Sequence, residues 1–401
     1  MFANLWKKVS LSINGTEIPV SYDYELVHYV MKLLTIKKKD LDYELTHNGF
    51  YITEIKYLPA TGAFATGTGQ QLIQHPLVDV PTKKIFTTAP EWDINEFISW
   101  FNKGKIPTSD DTKIMTGKVP HPLFGNKKNW PPECPLTLQF TPNNINKLVY
   151  CKEGFAPTLL INKITFNDTI IHVTDEMVDQ SVRDTILSGS GFEMPFTKYE
   201  TNFYNLQNGT DQSIQLQTSG NWPSMAIFGF IPTGCRTDTK ASTQKFMSKF
   251  PPLLSMTVFN GEREYPEKGG IEFRNIPNFP SGTNMSDYLE KDDLDKLVDS
   301  NVDIFENIRG QMLDDLNDLP DLAWDAEKFF TTQFWVPMNF TPIDRPTEVP
   351  DVIFPKESGD MRVRLVFKHA IDPANWTLVV ISIRDALVTI TPPAWTVAGN
   401  F

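Results

Sequence analysis

Cysteine is scarce in this chain: Cys134, Cys151 and Cys235 are the three among 401 residues, odd in number and without CxxC spacing. That excludes a disulfide scaffold and supplies no zinc-ligand pattern, so buried free thiols are the expected state. Basic charge is also short, with 37 Lys+Arg against 49 Asp+Glu for a formal −12. A dedicated nucleic-acid binder needs a basic stripe to displace counterions from phosphates. The one dense basic run, Lys37-Lys38-Lys39, reads as a solvated turn. No stretch approaches the run of about eighteen apolar residues that a membrane-crossing helix requires. The opening residues, MFANLWKKVSLSING, alternate instead of forming an apolar signal core, so neither a membrane span nor secretion by a signal is expected. Six Asn-x-Ser/Thr sequons begin at Asn14, Asn167, Asn208, Asn284, Asn339 and Asn375. They are read as marks of Asn- and Thr-rich strands and turns.

Catalytic motifs are missing as well. The histidines His28, His47, His75, His121, His172 and His369 are scattered, with no pair at i, i+2 or i, i+4. No GxSxG elbow, HExxH, Walker sequence or dinucleotide fingerprint occurs, and Cys134 lies between prolines in Pro131-Pro132-Glu133-Cys134-Pro135. Gly62, Gly67 and Gly69 lack the Lys-Ser/Thr of a phosphate loop, and the Thr-, Gly- and Pro-rich segment from Pro59 to Pro90 reads as an exposed loop. Asp314, Asp315, Asp318, Asp321 and Asp325 crowd together, yet no twelve-residue frame has both the Gly and the terminal Glu of an EF-hand loop. No catalytic residue, metal ligand or cofactor is therefore expected, and the chain is read as a non-enzyme. Nine Trp and 28 Phe leave open a carbohydrate-binding jelly-roll protein as the alternative function, although aromatics in a β protein mostly build cores and interfaces.

What is present points to strands. Pro at 30 and Phe at 28 with a charged fraction of 21% suit short strands joined by turns better than helical bundles, because proline breaks helix interiors. Leu5 to Ile13 alternates as a strand, Asn14-Gly15 is a two-residue turn signal, and Ile18 to Tyr22 returns. Tyr24 to Ile36 places Leu26, Val27, Tyr29, Val30, Leu33 and Leu34 on one helical face. Further strands are expected at Leu136 to Phe140, Thr158 to Phe166 and Asp168 to Val173. The second half offers Tyr199 to Leu206, Ser213 to Gln217, Ser224 to Ile231, Leu253 to Phe259, Phe334 to Phe340, Met361 to Phe367, Trp376 to Ile383 and Leu387 to Thr391. Phe259-Asn260-Gly261 repeats the strand-then-NG signal of Ile13-Asn14-Gly15, and both are followed by proline, Pro19 and Pro266. Two related β units, 1–190 and 191–401, are expected, joined near Asn167 to Ser190.

Ser286 to Lys328 differs in kind. It holds 14 acidic and 4 basic residues, −10 of the chain's −12. Tyr288, Leu289, Leu294, Leu297, Val298, Ile304, Phe305, Ile308, Met312, Leu313 and Leu316 recur at amphipathic helical spacing. An acidic helical insertion in a β domain is the expectation, ended or kinked by Pro320.

The order of these segments carries a resemblance. LWKKVSLSING, SYDYELVHYVMKLL and LDYELTHNGFY resemble the opening of the hexon-like proteins of adintoviruses and of Polinton or Maverick elements. TGKVPHPLFGNKKNWPPECPLTLQF, LLINKITF, NWPSMAIFGFIP, FMSKFPPLLSMTVFNGEREYP, FFTTQFWVPMNFTP and MRVRLVFKHAIDPANWTLVVISIRDALVTI follow in the family's order over nearly the whole chain. The resemblance implies an all-β double jelly roll, two eight-stranded antiparallel barrels side by side. It implies a major capsid protein forming homotrimers with a pseudo-hexagonal outline, with neighbouring capsomers and a penton protein as partners, located in the virion. Members of that family carry a segment ahead of the position of Leu5, so the first barrel is expected to lack its opening strands. The acidic insertion is expected in a loop between strands, as an outer tower or a contact between neighbours, with its charge toward solvent.

Overall fold

The computed structural model describes residues 5–18, 23–41, 55–58, 71–74, 117, 121–125, 134–144, 188, 191–216, 222–232, 248–266, 269–278, 291–312, 321–340, 359–372, 376–392 and 394–400. The chain opens with β1 (Trp6–Ile13), β2 (Thr16–Ile18) and α1 (Tyr24–Thr35), then β3 (Ile55–Leu58), β4 (Gln71–Gln74), a 3-10 turn at Pro122–Gly125 and β5 (Leu136–Pro142). The second half runs β6 (Phe192–Asn205), β7 (Asp211–Gln215), β8 (Met225–Pro232), β9 (Leu253–Asn260), β10 (Arg263–Tyr265) and β11 (Ile271–Glu272). Three helices follow, α2 (Lys291–Ser300), α3 (Val302–Gly310) and α4 (Ala326–Thr331), and then β12 (Trp335–Asn339), β13 (Met361–Phe367), β14 (Trp376–Thr391) and β15 (Thr396–Asn400). All the strand pairs between these elements are antiparallel.

Turn chemistry fixes the short hairpins. In β1–β2, Ile13 faces Thr16, and both intervening residues, Asn14 (φ 45°) and Gly15 (φ 81°), lie in the left-handed region. That is the type I′ pattern an Asn-Gly pair favours. The second NG pair works one residue out of phase: Asn260 faces Arg263, so the loop is Gly261-Glu262, with positive φ at Gly261 alone. This matches a type II′ turn, which also wants glycine first. The two halves therefore share the sequence signal but not the turn.

Two larger sheets face each other. One has the order β10-β9-β13-β7 with β11 also on β9; the other has β12-β8-β14-β15 with β6 along the second edge of β14. Alternation in β13 sends Met361, Val363, Leu365 and Phe367 inward and leaves Arg362 and Arg364 exposed, the period-2 signature of a half-covered strand. β8 and the first half of β14 are buried on both faces. Phe230 meets Phe367 across the sheets, and α1 to α4 supply further members of the same main cluster. Full burial of one such side chain is worth roughly 1.5–3 kcal/mol, whereas an exposed ion pair contributes about 0–1 kcal/mol. The cores, not the surface charges, hold the fold.

A second cluster lies elsewhere. Leu11, Ile13 and Ile18 of the β1–β2 hairpin, Leu123 and Cys134 pack on Met194 and Phe196 of β6 and on Ala386, Val388 and Ile390 of β14. The hairpin tip is tied to the C-terminal turn, since Asn14 Nδ2 donates to the Ala394 carbonyl at 2.7 Å. Both clusters draw residues from both sides of residue 190: α1 enters the main one, and the start of β6 and the end of β14 enter the other.

Several expectations are corrected. Gln71–Gln74 is a strand paired with Ile55–Leu58, inside the segment read as an exposed loop; a four-residue ladder is too short to impose a visible period. The strands expected at Trp376 to Ile383 and Leu387 to Thr391 are one continuous β14. Tyr199 to Leu206 is the end of a longer β6, and β15 was not anticipated. The insertion forms helices as expected and turns Asp292, Asp295, Asp299 and Asp303 to solvent. It is no detached tower, however: Leu294, Leu297, Phe305, Ile308 and Met312 are buried in the main core. Gln311 Oε1 also accepts the Asn339 N–H at 3.3 Å, so α3 covers the end of the edge strand β12, a place where an open ladder would invite pairing. The expected strands Thr158 to Phe166 and Asp168 to Val173 fall outside the described residues.

Gly229 sits opposite Trp335 in the β8–β12 ladder, and a Cβ there would lie 2.3 Å from Trp335 Cζ3. Gly229→Ala is expected to lower unfolding stability by about 1–3 kcal/mol through overpacking. Gly209→Ala, where a Cβ meets nothing within 4 Å, should stay within about 0.5 kcal/mol. Denaturant titration of both variants is the check, and equal midpoints would refute the packing account.

Candidate functional site

The histidines that sequence spacing left unassigned are partly gathered by the fold. His28 on α1 and His121, just ahead of the Pro122–Gly125 turn, lie close enough for the field of one to act on the other. His121 is buried, and its Nδ1 accepts the Leu123 N–H at 3.2 Å. Burial, and then His28, push its pKa down to about 4, so at neutral pH it is an uncharged imidazole. The ring of His28 meets Tyr24 edge-on at 4.2 Å. His369 stands on the far side of the sequence near the end of β13, and His47, His75 and His172 lie outside the described residues. Among the described residues no three His, Cys, Asp or Glu side chains converge as metal ligands.

Of the acidic residues weighed as a cation loop, Asp325 has another role. Asp325 caps α4, its Oδ1 accepting the Lys328 N–H at 2.9 Å, and pairs with the Lys328 ammonium. Asp321 is exposed; Asp314, Asp315 and Asp318 lie outside the described residues. Arg309 of α3 is buried against Phe305, with its Nη1 3.2 Å from Glu306 Oε1. Burial lowers its proton affinity while Glu306 and Asp325 oppose that.

Aromatic residues form no open platform among the described residues. Trp6, Trp222, Trp324, Trp335 and Trp376 are buried, and Phe250, Phe273, Phe329, Phe330 and Phe334 interlock at ring separations of 4.7–6.5 Å. Their edge-to-face and tilted geometry is that of a core. Lys38 and Lys39 are exposed beside Lys37, which bridges Leu322. Cys134 is buried, as expected, while Cys151 and Cys235 lie outside the described residues.

A charged group that the sequence reading passed over sits midway along the β6–β14 ribbon. Lys198 pairs in register with Arg384, and Glu200 with Ser382. Glu200 Oε1 accepts from Lys198 Nζ at 2.9 Å, and its Oε2 forms an ion pair with Arg384 Nε at 3.2 Å. The Arg384 side chain keeps 7% of its exposure, Lys198 18% and Glu200 19%. Burial holds Arg384 below the usual arginine range, and Glu200 pulls the other way. The signal was there to be read: Arg384 is in phase with the buried Leu378, Val380, Ser382, Ala386, Val388 and Ile390. On the exposed face of β13, Arg364 grips Asp211 with two bonds of 3.0 and 2.6 Å, and Arg362 stacks 4.6 Å over Phe259.

No protein-family model and no curated protein matches the chain. Among solved structures, the Sputnik virophage determined by cryo-electron microscopy is similar at 8% identity with a TM-score of 0.35, covering 100% of this chain and 74% of that one. PBCV-1 VP54, fitted into a reconstruction of the virophage Sputnik, gives 8% and 0.38 over 100% and 84%. The mavirus major capsid protein gives 14% and 0.32 over 100% and 78%. At these TM-scores the likeness assigns neither fold nor role to the chain, whose antiparallel sheets stand on their own pairing.

Removing Glu200 alone should take the shared carboxylate away from two cations in a nearly closed site. Glu200→Ala is expected to cost about 3 kcal/mol, at the lower end for a buried ion pair because Glu200 keeps some exposure. Replacing Lys198, Glu200 and Arg384 together by Met, Leu and Met should recover most of that loss. Thermal and denaturant unfolding decide it, and a harmless Glu200→Ala would refute the triad's burial.

Proposed function

We propose that this chain is a structural subunit of a virus shell, a hexon-like major capsid protein with two jelly rolls. The observation that carries the reading is order: strand, NG turn, Tyr-rich helix, then the strand pairs of the second half, in the sequence of the family it resembles. Support comes from the all-antiparallel pairing, from two packed cores fed by long strands, and from surfaces whose polar groups bind one another. On this reading 1–190 belongs mainly to the first barrel and 191–401 mainly to the second, the β6–β14 ribbon runs from one core into the other, and 286–328 is an insertion in the second.

The same reading makes the working unit a homotrimer whose six barrels form a pseudo-hexagonal tile. Closed rings of identical subunits follow from a heterologous interface that returns on itself after three copies. Neighbouring tiles and a penton protein are its partners, the virion is its location, and the adintovirus or Polinton-Maverick type is its affiliation. A shell protein needs no catalytic centre; its mechanism is the geometry of edges that meet. The acidic outer face of α2 and α3 keeps that part of the surface from nonspecific contact, since like charges repel at short range.

The purified chain is expected to run as a trimer in size-exclusion chromatography with light scattering. Images of it by electron microscopy should show particles of near-sixfold outline. A monomer that stays a monomer at high concentration and forms no ring or shell would contradict the proposal.

A further inference from the structure

Four Asn-Gly pairs occur in the chain, Asn14-Gly15, Asn48-Gly49, Asn208-Gly209 and Asn260-Gly261. Glycine has no Cβ to shield its nitrogen, so this dipeptide lets the glycine amide approach the side-chain carbonyl of the residue before it. Asn48 lies outside the described residues, and the fold places the other three pairs in different surroundings.

Asn14 is exposed, yet it is held at both its main chain and its side chain. Its N–H donates to the Pro135 carbonyl at 3.4 Å, and its side-chain amide donates to the Ala394 carbonyl at 2.7 Å. Asn260 is half-buried at the end of β9, with Arg263 opposite it on one side and Met361 on the other. Its Oδ1 is packed against Gly359, in the space a Cβ there would need. Bending either side chain back onto the following nitrogen breaks one of these contacts.

Asn208 stands exposed in the loop between β6 and β7. Neither its side-chain amide nor the Gly209 N–H meets a hydrogen-bond partner among the described residues. The space beside Gly209 is open, since a Cβ there would have nothing within 4 Å. The main chain around the pair is held by the buried Gln212. Its Oε1 accepts the Gln207 N–H at 2.9 Å, and its Nε2 donates to the Gln207 and Gly209 carbonyls at 2.6 and 3.3 Å. This clamp fixes the flanks and leaves the two reacting groups untied.

We propose that Asn208 is a site of spontaneous deamidation, selected by the fold over Asn14 and Asn260. The Gly209 nitrogen gives its proton to solvent and bonds to Cγ of Asn208. The Cγ–Nδ2 bond breaks, ammonia leaves and a succinimide closes. Water then opens the ring at either carbonyl. Cleavage of the new N–Cγ bond gives an aspartyl residue, and cleavage of the old peptide bond gives an isoaspartyl residue whose main chain runs through the side chain. Both products place a carboxylate in the loop that leads into Asp211 and its partner Arg364. The lengthened main chain of the second also disturbs the span from Gln207 to Gly209 that Gln212 holds, so a subunit changes charge and loop geometry as it ages.

The purified full chain is kept in mildly alkaline buffer, and its peptides are followed by mass spectrometry, with isoaspartyl residues scored by electron-transfer fragmentation. In the folded wild type, conversion at Asn208 should outpace conversion at Asn14 and at Asn260 by at least about tenfold. In strong denaturant the three rates should converge to within about threefold, because no native contact then distinguishes the pairs. Gly209→Ala has room for its Cβ in the fold but covers the attacking nitrogen. It should slow conversion at Asn208 by at least about tenfold while the unfolding midpoint stays in place. Asn14 or Asn260 converting as fast as Asn208 in the folded chain, no conversion at Asn208, or an undiminished rate in Gly209→Ala overturns the proposal.

Discussion

The pairing of β6 with β14 runs unbroken from Asn205↔Thr377 to Phe192↔Ile390, and both cores hang on it. Along its other edge β14 serves two partners in turn, β8 up to Ile383 and β15 from Leu387. One strand therefore belongs to the large sandwich at its start and to the small hairpin-covered cluster at its end. Between the two partners lie Arg384, Asp385 and Ala386, where neither β8 nor β15 pairs. The side-chain alternation of a strand is strict, so the cation at 384 has to point into the same side as Val388 and Ile390. Lys198 and Glu200 are the cross-strand answer to that constraint. A slip of one residue would turn the buried Ala386, Val388 and Ile390 to the other face, so burial on one side specifies the register here.

Helices solve the remaining problem of exposed sheet. β12 ends its sheet, and α3 lies over it through Gln311; α4 and the segment before it bring Trp324, Phe329 and Phe330 into the core. α1 is bound into the same mass, since the Ala323 N–H donates to the Ile36 carbonyl at 2.9 Å and Gln333 Nε2 donates to the Tyr29 hydroxyl at 3.1 Å. The first and second halves of the chain are thus locked at two places, here and at the Asn14–Ala394 contact. The acidic insertion is amphipathic because it does two jobs at once, filling the core with one face and charging the surface with the other.

Local rules were enough to read β1, the Asn14-Gly15 turn, α1, β8, β9, β13 and the amphipathic helices, because each buries one regular face or needs one special backbone conformation. The length of β14 was not legible, since Arg384-Asp385 looks like a break until a partner strand with Lys198 and Glu200 is laid beside it. Nor was the burial of His121, which depends on how the Pro122–Gly125 turn packs on β6. The second core was hidden for the same reason: its members come from the first strands, a short turn and the ends of two distant strands. Burial of Trp6, Trp222, Trp324, Trp335 and Trp376 followed the expectation that aromatics in a β chain are core residues.

Hydrogen exchange at neutral pH tests the shared ribbon most directly. If β6 and β14 join both cores into one cooperative unit, backbone amides of Trp376–Ile383 and of Leu387–Ile390 will exchange by the same global opening, with the same dependence on denaturant. If the amides of Leu387–Ile390 open at low denaturant while those of Trp376–Ile383 remain protected, the cores are independent at neutral pH and the ribbon does not couple them.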